Sequence, residues 1–374
     1  MKPLSGIRVI DFTTLLPGPM ATLILSEAGA EVIKIERPGG EDIRRSPPFI
    51  DDKSVMFSML NRGKRSIEID IKEKKNLEKI IRLIRTADVV VDQFRPGVME
   101  RIGLNYEKLK KINKKIVHCS ITGYGQTGPK KLVAAHDINY MADSGLLSLA
   151  KDSDGSPAMP SAQIADIAGG SYPAVINILL ALRNAEKTGK GAYLDISMTD
   201  NLFPFMWMAL GIAYDNKNFP LGGDLHLTGA SPRYGIYKTL DSGYIALGAL
   251  EEKFWQRFCE IIKLDKKLVD DAINTNRTKQ EIIKIISSKT TSYWKKLLAK
   301  EINICCSVVN SVEEALKDPQ IIDRELVSAS INISGKNVKV MPTPLAPIWR
   351  PKSLIEDAPK LGEANSALLE KKNV

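Results

Sequence analysis

The sequence offers three side chains for acid–base chemistry or for attack on a carbonyl carbon: His136, Asp166 and Glu251. His136 is one of only three histidines and stands in the run AAHDINYMADSG, at the start of a short amphipathic segment. A histidine side chain, with a reference pKa near ~6.5, is a base when neutral and an acid when charged. A lone histidine at such a position is more often a structural residue or a helix-cap partner. Its own position therefore leaves the role of His136 open.

Asp166 lies in the run QIADIAGG, among small and apolar residues at the start of an expected helix. Burial among apolar groups raises the pKa of a carboxyl and lets it act as a proton donor. The alternative is a helix N-cap, a position where aspartate is favoured for its side-chain oxygen. Glu251, in GALEEKFW, follows a strand-like run and taken alone is expected to be a surface glutamate. The spacing of these three residues does not by itself bring them together.

Other catalytic and binding motifs are incomplete or missing. The run GYGQTG, Gly123 to Gly128, matches the dinucleotide-binding pattern G-x-G-x-x-G and follows an expected strand. Pro-Lys-Lys comes next in place of a helix, so no helix dipole is available to hold a pyrophosphate. We interpret the run as a glycine loop near a ligand. The sequence has no Walker A, H-E-x-x-H, Cys/His cluster or G-x-S-x-G motif, and we predict no metal site.

The chain is basic, with a formal net charge of +9 and a pI near 9.1. Such a balance suits nucleic acid, an anionic surface or a small polyanionic ligand. Most lysines are scattered along helix-like stretches such as IKEKKNLEKIIRLIR, which is typical of a solvated helix face. No basic motif interleaved with aromatic residues is present, so we predict no nucleic-acid partner.

Cysteine usage and the apolar runs predict a cytoplasmic protein without a membrane partner. The neighbouring Cys305 and Cys306 make a poor disulfide pair, which favours a reducing compartment. The first run, MKPLSGIRVIDF, enters a strand-like pattern directly and does not resemble a signal peptide. The longest apolar stretch, IAGGSYPAVINILLAL, is interrupted by glycine, serine, tyrosine and proline, so we expect a buried helix there.

The first third of the chain alternates between strand-like and helix-like runs. GIRVIDF, EVIKIE, RSIEIDIK, DVVVDQF and KKIVHCSIT have the pattern of strands, and GPMATLILSEAGA and EKKNLEKIIRLIRTA have that of helices. This order, with short turns, predicts a parallel, doubly wound sheet, in which ligands bind beyond the carboxyl ends of the strands. The turns ERPGG and QFRPG stand at such ends, and each carries an arginine.

We predict an α/β fold of two domains, a large domain over residues 1–224 and a smaller α+β domain over residues 225–325. The small domain begins with a hairpin, YGIYKTLDSGYIALGAL, that turns at Asp-Ser-Gly. Residues 326–374 are expected to return to the large domain as a proline-rich, extended tail with a last helix near GEANSALLEKK.

Several separate runs, in order and across nearly the whole chain, resemble the family III CoA-transferases. They are LSGIRVIDFTTLLPGPMATLILSEAGAEVIKIERPGG, NRGKRSIEIDIK, FRPGVMERIGL, ITGYGQTGP, HDINYMADSG, ADIAGG, GKGAYLDISMTD and GALEEKFW. HDINY together with the glutamate of GALEE resembles the α-methylacyl-CoA racemase branch of this superfamily. Its transferases generally carry an aromatic residue where His136 stands.

The resemblance implies a Rossmann-like large domain, a smaller domain and an interlocked homodimer. Active sites are then expected where one subunit's large domain meets the partner's small domain. It also implies an acyl-CoA substrate and no separate cofactor, since CoA is part of the substrate. Arginine forks suit the phosphates of CoA. The positions that match the family's CoA site are Arg37, Ile69, Asp70, Ile71, Lys72, Arg95, Ala134, Ala135, Asp137, Ile138 and Asn139.

The racemase branch implies that His136, oriented by Glu251, and Asp166 lie on opposite faces of the enolate of a 2-methyl-branched acyl-CoA and exchange its α-proton. We therefore expect a racemase of lipid and fatty acid metabolism, with Asp137 structural or an N-cap. In the alternative, a CoA-transferase, the Asp166 carboxylate attacks the thioester and forms an acyl anhydride and then an aspartyl-CoA thioester. A third hypothesis is a non-catalytic CoA-binding protein, which has no need of opposed acid–base groups.

Overall fold

The computed structural model describes residues 2–152 and 154–370. The strands are β1 (Arg8–Asp11), β2 (Glu31–Glu36), β3 (Phe49–Ile50), β4 (Lys53–Ser54), β5 (Arg65–Glu68), β6 (Val89–Asp92), β7 (Val117–Thr122), β8 (Ala192–Ser197), β9 (Tyr234–Lys238), β10 (Tyr244–Gly248), β11 (Cys306–Val308), β12 (Ser330–Ile333) and β13 (Lys336–Lys339). The α-helices are α1 (Pro17–Glu27), α2 (Val55–Asn61), α3 (Lys74–Arg85), α4 (Val98–Arg101), α5 (Tyr106–Ile112), α6 (Asp137–Ser144), α7 (Tyr172–Thr188), α8 (Trp207–Asn216), α9 (Glu252–Ile262), α10 (Thr275–Ser287), α11 (Thr291–Leu298), α12 (Val312–Leu316), α13 (Pro319–Asp323) and α14 (Asn365–Leu369). A π-helical segment, Ala165–Ser171, directly precedes α7.

Six parallel strands form the central sheet, in the order β5-β2-β1-β6-β7-β8. Every residue of β6 and β7 is buried, as expected for strands of a parallel sheet that is covered on both faces. The parallel, doubly wound sheet predicted from the sequence is therefore confirmed. One strand is shorter than expected, because β5 ends at Glu68 and Ile69–Lys72 follow it as a turn.

Helices α1 and α3 cover the sheet because each has an apolar side to bury. Pro17 stands at the start of α1, where its fixed φ suits a helix and its missing N–H leaves no donor unpaired. In α3, Ile80 and Ile84 are fully buried in the main core cluster, whereas Arg82 and Arg85 are exposed. The basic stretch predicted as a solvated helix face therefore has that form in α3.

The chain divides into two compact units. The first comprises residues 1–144, 160–204 and 319–374 and holds the central sheet. The second comprises residues 145–159 and 205–318. The described part of the C-terminal segment lies in the first unit.

This division differs from the predicted boundary at residue 224. Residues 145–159 and 205–224 belong to the second unit, where the N–H of Gly223 donates to the carbonyl of Leu149 at 3.4 Å. The boundary itself falls inside a short 3₁₀ helix, Asp200–Met206. No turn signal in the sequence marks that place. The prediction instead followed the glycine-rich run LGGDLHLTG, which begins at Leu221.

The second unit is built on the antiparallel sheet β11-β10-β9. Its core contains Trp255, Phe258 and Trp294, which come from the helices α9 and α11 that pack against the sheet. β9 and β10 form the predicted hairpin: Lys238 pairs with Tyr244, and the turn between them holds Ser242 at φ +65°. The prediction of this hairpin is confirmed.

Near the C-terminus, β12 and β13 form a second hairpin that the sequence analysis missed. Its turn holds Ser334 and Gly335, both at positive φ. The last predicted helix is present as α14, and it is joined to β5 because the N–H of Ala364 donates to the carbonyl of Ser66 at 2.9 Å. Residues 371 and 372 of that predicted run lie outside the described residues.

The helix predicted from the longest apolar stretch is present as the continuous helical stretch Ala165–Thr188. By length and composition alone it could cross a membrane, and 44% of its most apolar window is buried. Ile176 and Leu180 on α7 are 57% and 64% exposed. The burial expected for this helix is therefore partial, and the absence of a membrane partner stays a prediction.

Candidate active site

The loops that follow the parallel strands lie at the carboxyl edge of the central sheet. The chain runs from β1 to β2 and β5 on one side and from β6 to β7 and β8 on the other, so the strand order reverses between β1 and β6. Ligands of doubly wound sheets bind at such a reversal. The start of α1 and the loop after β6 are joined here, because the N–H of Gly18 donates to Oε1 of Gln93 at 3.1 Å.

The residues predicted to bind CoA lie in these loops. Arg37 follows β2, Ile69–Lys72 follow β5, and Arg95 follows β6. The remaining predicted positions, Ala134–Asn139, lead into α6 and form its start. The side chain of Arg37 is 61% exposed, and its Nη2 lies 2.5 Å from Oδ1 of Asp42. Arg37 and Arg95 are therefore both accessible to an anionic ligand at this edge.

Ile69 differs from the other predicted CoA-binding residues. Its side chain is 6% exposed and packs in the main core cluster, and its N–H donates to the carbonyl of Glu36 at 2.8 Å. Only its backbone borders the edge of the sheet. The turn after it is shaped by a bond from the N–H of Lys72 to Oδ1 of Asp70 at 3.0 Å, which leaves the Lys72 side chain exposed.

A cavity of about 370 Å³ lies beside the loops that follow β6 and β7. This volume is in the range of small-molecule pockets. The predicted site residues that line it are Arg95, Ala134, Ala135, His136 and Asn139. The structure therefore brings together residues from two distant parts of the sequence.

His136 occupies the residue before α6. Its carbonyl accepts hydrogen bonds from the N–H groups of Asn139 at 2.8 Å and Tyr140 at 3.3 Å, and its own N–H donates to Oδ1 of Asn139 at 3.0 Å. These backbone bonds fix the position of the residue and leave the imidazole exposed on the cavity wall. His136 is therefore a cap residue by its backbone and an available base by its side chain.

Asp166 lies in the first turn of the π-helical segment and is half-buried. Its N–H donates to Oδ1 of Asp137 at 2.9 Å, so Asp137 caps the helix that carries Asp166. Burial raises the pKa of the Asp166 carboxyl to about 6; the negative charge of Asp137 adds to this rise, and His136 opposes it. Asp166 is therefore not the N-cap that the sequence offered as an alternative. Asp137 supplies the capping oxygen, and the pKa of the Asp166 carboxyl is raised.

Two glycines allow the π-helical segment to sit close to the end of β8. A Cβ added at Gly169 would lie 2.5 Å from the carbonyl oxygen of Met198, and one at Gly170 would crowd the Met198 side chain at 3.0 Å. On the other side, Oγ of Ser171 donates to the carbonyl of Pro17 at 2.8 Å, at the start of α1. Asp166 is thereby held near the reversal point of the sheet, and π-helical turns of this kind are frequent at functional sites.

Tyr140 supports the segment that carries His136. Its hydroxyl donates to the carbonyl of Ala135 at 2.8 Å, and its ring lies against Gly123, where a Cβ would come within 2.3 Å of it. Burial, and then the charge of Asp166, raises the pKa of the Tyr140 phenol to about 12. Tyr140 is therefore a neutral hydrogen-bond donor under ordinary conditions.

The GYGQTG run forms a loop whose first two residues, Gly123 and Tyr124, line the cavity, and a turn follows it where a dinucleotide site would need a helix. The N–H of Gln126 donates to both carboxylate oxygens of Asp195, at 3.0 and 3.1 Å. The hydroxyl of Tyr124 donates to Oδ2 of Asp143 at 2.6 Å, and Nζ of Lys130 lies 2.9 Å from the same oxygen. The loop is thereby tied to β8 and to α6.

Glu251 and the other two histidines are not among the residues that make these contacts. Glu251 is exposed in the second unit, at the N-cap position of α9, and its side chain makes no capping hydrogen bond. His118 is buried on β7 with Nε2 2.8 Å from Oδ2 of Asp92, a contact between two neighbouring strands of the sheet. His226 is exposed in a short 3₁₀ helix, His226–Thr228.

The site thus combines a perturbed carboxyl, an imidazole and basic loop residues at the carboxyl edge of a doubly wound sheet. The family model for CoA-transferase family III matches residues 4–365, and the chain belongs to that family. The superfamily resemblance found in the sequence is confirmed.

Curated relatives that are CoA-transferases and others that are racemases align with nearly the whole chain. It is 34% identical to the succinate–glutarate CoA-transferase of Agrobacterium fabrum, over 98% of this chain and 95% of that protein. It is 30% identical to the α-methylacyl-CoA racemase of Homo sapiens, over 91% and 86%. Among solved structures it is similar to Rv3272 of Mycobacterium tuberculosis, with TM-score 0.84, 27% identity and 99% of each chain covered.

Proposed function

We propose that this protein transfers CoA between carboxylic acids through a covalent intermediate on Asp166. The observation that carries the proposal is the environment of the Asp166 carboxyl and the pKa that results from it. This residue is half-buried, its neighbour Asp137 is bound to its N–H, and its pKa is raised to about 6. A carboxylate with a raised pKa is more basic and more nucleophilic, yet it is still mostly ionised near neutral pH.

Each step of the transfer conserves charge and needs no outside reagent. A carboxylate oxygen of Asp166 attacks the thioester carbonyl, the C–S bond breaks, and CoA leaves the acyl carbon as a thiolate, so that a mixed anhydride of the acyl group and Asp166 remains. The thiolate then attacks the aspartyl carbonyl, which releases the first acid as a carboxylate and leaves an aspartyl-CoA thioester. The acceptor carboxylate attacks that thioester, and the thiolate attacks the acceptor carbonyl of the new anhydride, which regenerates the Asp166 carboxylate.

The surroundings of Asp166 supply the remaining functions in this proposal. Arg37, Lys72 and Arg95 are exposed at the edge of the sheet, where they would pair with the phosphates of CoA. Two kinds of transferase among the relatives, the succinate–glutarate and the acetyl-CoA:oxalate enzymes, are 34% and 33% identical to this chain, whereas the two racemases are 30% and 31% identical. The proposal therefore gives the transferase alternative precedence over the racemase that the sequence analysis favoured.

Racemisation of 2-methylacyl-CoA thioesters is the second candidate. It is favoured by His136, whose imidazole is close enough to Asp166 to lower the pKa of that carboxyl, and by racemases among the relatives at 30% and 31% identity. In this candidate His136 and Asp166 exchange the α-proton on opposite faces, and Glu251 orients the imidazole. The homodimer and the cytoplasmic location, expected at the sequence level, stay predictions for either candidate.

Hydroxylamine trapping separates the two candidates. The protein is incubated with acetyl-CoA and hydroxylamine and then digested, and the peptide that holds Asp166 is examined by mass spectrometry. The transferase proposal expects an aspartyl hydroxamate at Asp166 and none in Asp166→Asn. A protein that forms no hydroxamate, but exchanges the α-proton of 2-methylacyl-CoA in D₂O and loses this exchange in His136→Ala, is a racemase.

A further inference from the structure

Pro173 interrupts the helical stretch that carries Asp166. In a regular α-helix the carbonyl of Gly169 would accept the N–H of residue 173, but a proline has no N–H and its ring crowds that carbonyl. The chain departs from α-helical geometry at this point, because Ala165–Ser171 is π-helical, with hydrogen bonds that span five residues. The proline therefore accounts for the widened turn that follows Asp166, and it leaves the Gly169 carbonyl without its α-helical partner.

The side chain of Asn201 donates to this carbonyl. Its Nδ2 lies 2.9 Å from the carbonyl oxygen of Gly169 and 3.0 Å from that of Ser197, at the end of β8. One amide nitrogen thus joins the π-helical segment to the central sheet, across 32 sequence positions from Gly169. Asn201 therefore fixes the π-helical segment relative to the sheet on the side of β8.

The backbone that carries Asn201 is itself anchored to the sheet. The N–H of Met198 donates to the carbonyl of Thr122, the last residue of β7, at 2.8 Å. Both the N–H and the hydroxyl of Thr199 donate to the carbonyl of the next residue, Gly123, at 3.0 and 2.7 Å. A side chain on an anchored backbone loses little freedom when it binds, so the Asn201 amide is preorganised for its partner.

We infer that Asn201 is a positioning residue, which holds the π-helical turn so that the Asp166 carboxyl is presented to the thioester. The inference rests on the proposed function, since it requires Asp166 to be the group that reacts. Asp166 lies three residues before Gly169, less than one helical turn, so a displacement of the Gly169 carbonyl moves Asp166 as well. A misplacement of about 1 Å at the reacting group can lower a rate by roughly 100-fold.

The test replaces Asn201 by leucine, which has nearly the same shape and no hydrogen-bond donor. The measured rate is that of hydroxamate formation at Asp166 with acetyl-CoA and excess hydroxylamine. We expect Asn201→Leu to lower the maximal rate by roughly 10- to 100-fold and to change the half-saturating acetyl-CoA concentration by less than about threefold, because Arg37 and Lys72 follow other strands. Asn201→Ser, which keeps one donor, should have an intermediate rate.

Asn177→Leu is the matched control. Nδ2 of Asn177 donates to the carbonyl of Pro173 at 2.9 Å, so this bond is of the same kind but stays within α7. Its loss does not release the π-helical segment from β8. We therefore expect Asn177→Leu to react at the wild-type rate, and a loss equal to that of Asn201→Leu would overturn the inference.

A second substitution separates positioning from support of the fold. Pro173→Ala restores an N–H that can bind the Gly169 carbonyl in α-helical geometry. In the double variant Asn201→Leu/Pro173→Ala we expect the melting temperature to recover from its value in Asn201→Leu, while the rate stays low because an α-helical turn aims Asp166 elsewhere. Recovery of both quantities would make the role of Asn201 purely structural and overturn the inference, as would a wild-type rate in Asn201→Leu.

The wild-type protein distinguishes this inference from the function on which it rests. A wild-type protein that forms no hydroxamate overturns the transferase function. The same variants are then compared by α-proton exchange of 2-methylacyl-CoA in D₂O, in which Asp166 also takes part. Unchanged exchange in Asn201→Leu overturns the positioning role, whereas a loss there with unchanged exchange in Asn177→Leu supports it.

Discussion

Two aspartates near the carboxyl edge of the central sheet have opposite electrostatic surroundings. Asp11, at the end of β1, is fully buried; burial alone would raise its pKa, but Lys64, Lys34 and hydroxyl donors outweigh burial and hold the pKa below its usual range. No lysine of the described residues acts on Asp166 in this way, and burial together with Asp137 raises its pKa to about 6. The charge of the first carboxylate is compensated and stabilises the fold. At the second, burial and Asp137 outweigh His136, and we propose that this carboxylate is the one that reacts.

The contacts of Asp11 explain its structural role. Its two oxygens accept bonds from the hydroxyls of Thr13 at 2.5 Å and Thr22 at 2.7 Å, and Nζ of Lys64 lies 3.2 Å away. Lys64 is itself fully buried, and burial lowers its pKa to about 8 despite the attraction of Asp11. A buried pair of this kind fixes the geometry of β1 and the start of α1, which border the reversal point.

The largest expected effect is on activity, from Asp166→Asn. The substitution removes the nucleophile, so we expect kcat for CoA transfer to fall by at least about 1,000-fold. The melting temperature should stay the same or rise, since a half-buried charge next to the like charge of Asp137 is removed. Steady-state kinetics and thermal unfolding of the same preparation check both parts. A variant that keeps a tenth of the activity would contradict the role of Asp166.

We expect Asp11→Asn to act in the opposite way to Asp166→Asn, with a large loss of stability and a smaller effect on activity. Removing one partner of a buried ion pair leaves Lys64 uncompensated, and we expect a loss of about 3 kcal/mol in the free energy of unfolding. The lower end of the usual range applies because Lys64 can lose its proton more easily than an ordinary lysine. Urea unfolding measures this loss, and a change below about 1 kcal/mol would mean that the pair is not important for stability.

The pH dependence of activity should follow the Asp166 carboxyl. The reaction needs the carboxylate, which exists above the pKa, so kcat/KM should rise with pH through about 6. Asp137→Asn removes the neighbouring charge that raises this pKa and keeps an oxygen that can accept the Asp166 N–H. The acidic limb of the profile should therefore move to lower pH. A limb that stays in place, or moves upward, would assign it to another group.

The smallest expected effect comes from Asp143→Asn. The amide can still accept a hydrogen bond from the Tyr124 hydroxyl, but its ion pair with Lys130 is lost. Exposed ion pairs contribute little to stability, so we expect an unchanged melting temperature and a rise of a few-fold at most in KM. Titration of KM for the acyl-CoA measures this effect. A loss of kcat comparable to that of Asp166→Asn would mean that the loop takes part in the chemistry directly.

Much of the first unit could be predicted from the sequence, because local patterns determine it. The buried strands β6 and β7 are continuous apolar runs, and the arginine-bearing turns after β2 and β6 lie at the predicted edge. His136 and Asp166 were selected as candidate catalytic residues through the family resemblance, because their own sequence positions were equally compatible with structural roles. The hairpin of β9 and β10 followed from its Asp-Ser-Gly turn.

The remaining features depend on contacts between distant residues. The bond from Asp166 to Asp137 spans 29 positions, and the close approach of Gly169 to Met198 involves a backbone oxygen that no sequence pattern reveals. The ion pair between Lys130 and Asp143 likewise joins the glycine loop to α6. In the C-terminal segment, the proline content favoured the prediction of an extended tail. The hairpin that turns at Ser334 and Gly335 was therefore not predicted.

Transfer of an oxygen atom to Asp166 tests the central claim most directly. The protein is allowed to turn over acetyl-CoA with an acceptor acid labelled with ¹⁸O in its carboxyl groups, and the Asp166 peptide is then analysed by mass spectrometry. The acceptor oxygen bridges the second anhydride and stays on the aspartate when the thiolate attacks the acceptor carbonyl. We predict ¹⁸O in the Asp166 carboxyl. Product formation without ¹⁸O at Asp166 would contradict a covalent role for this residue.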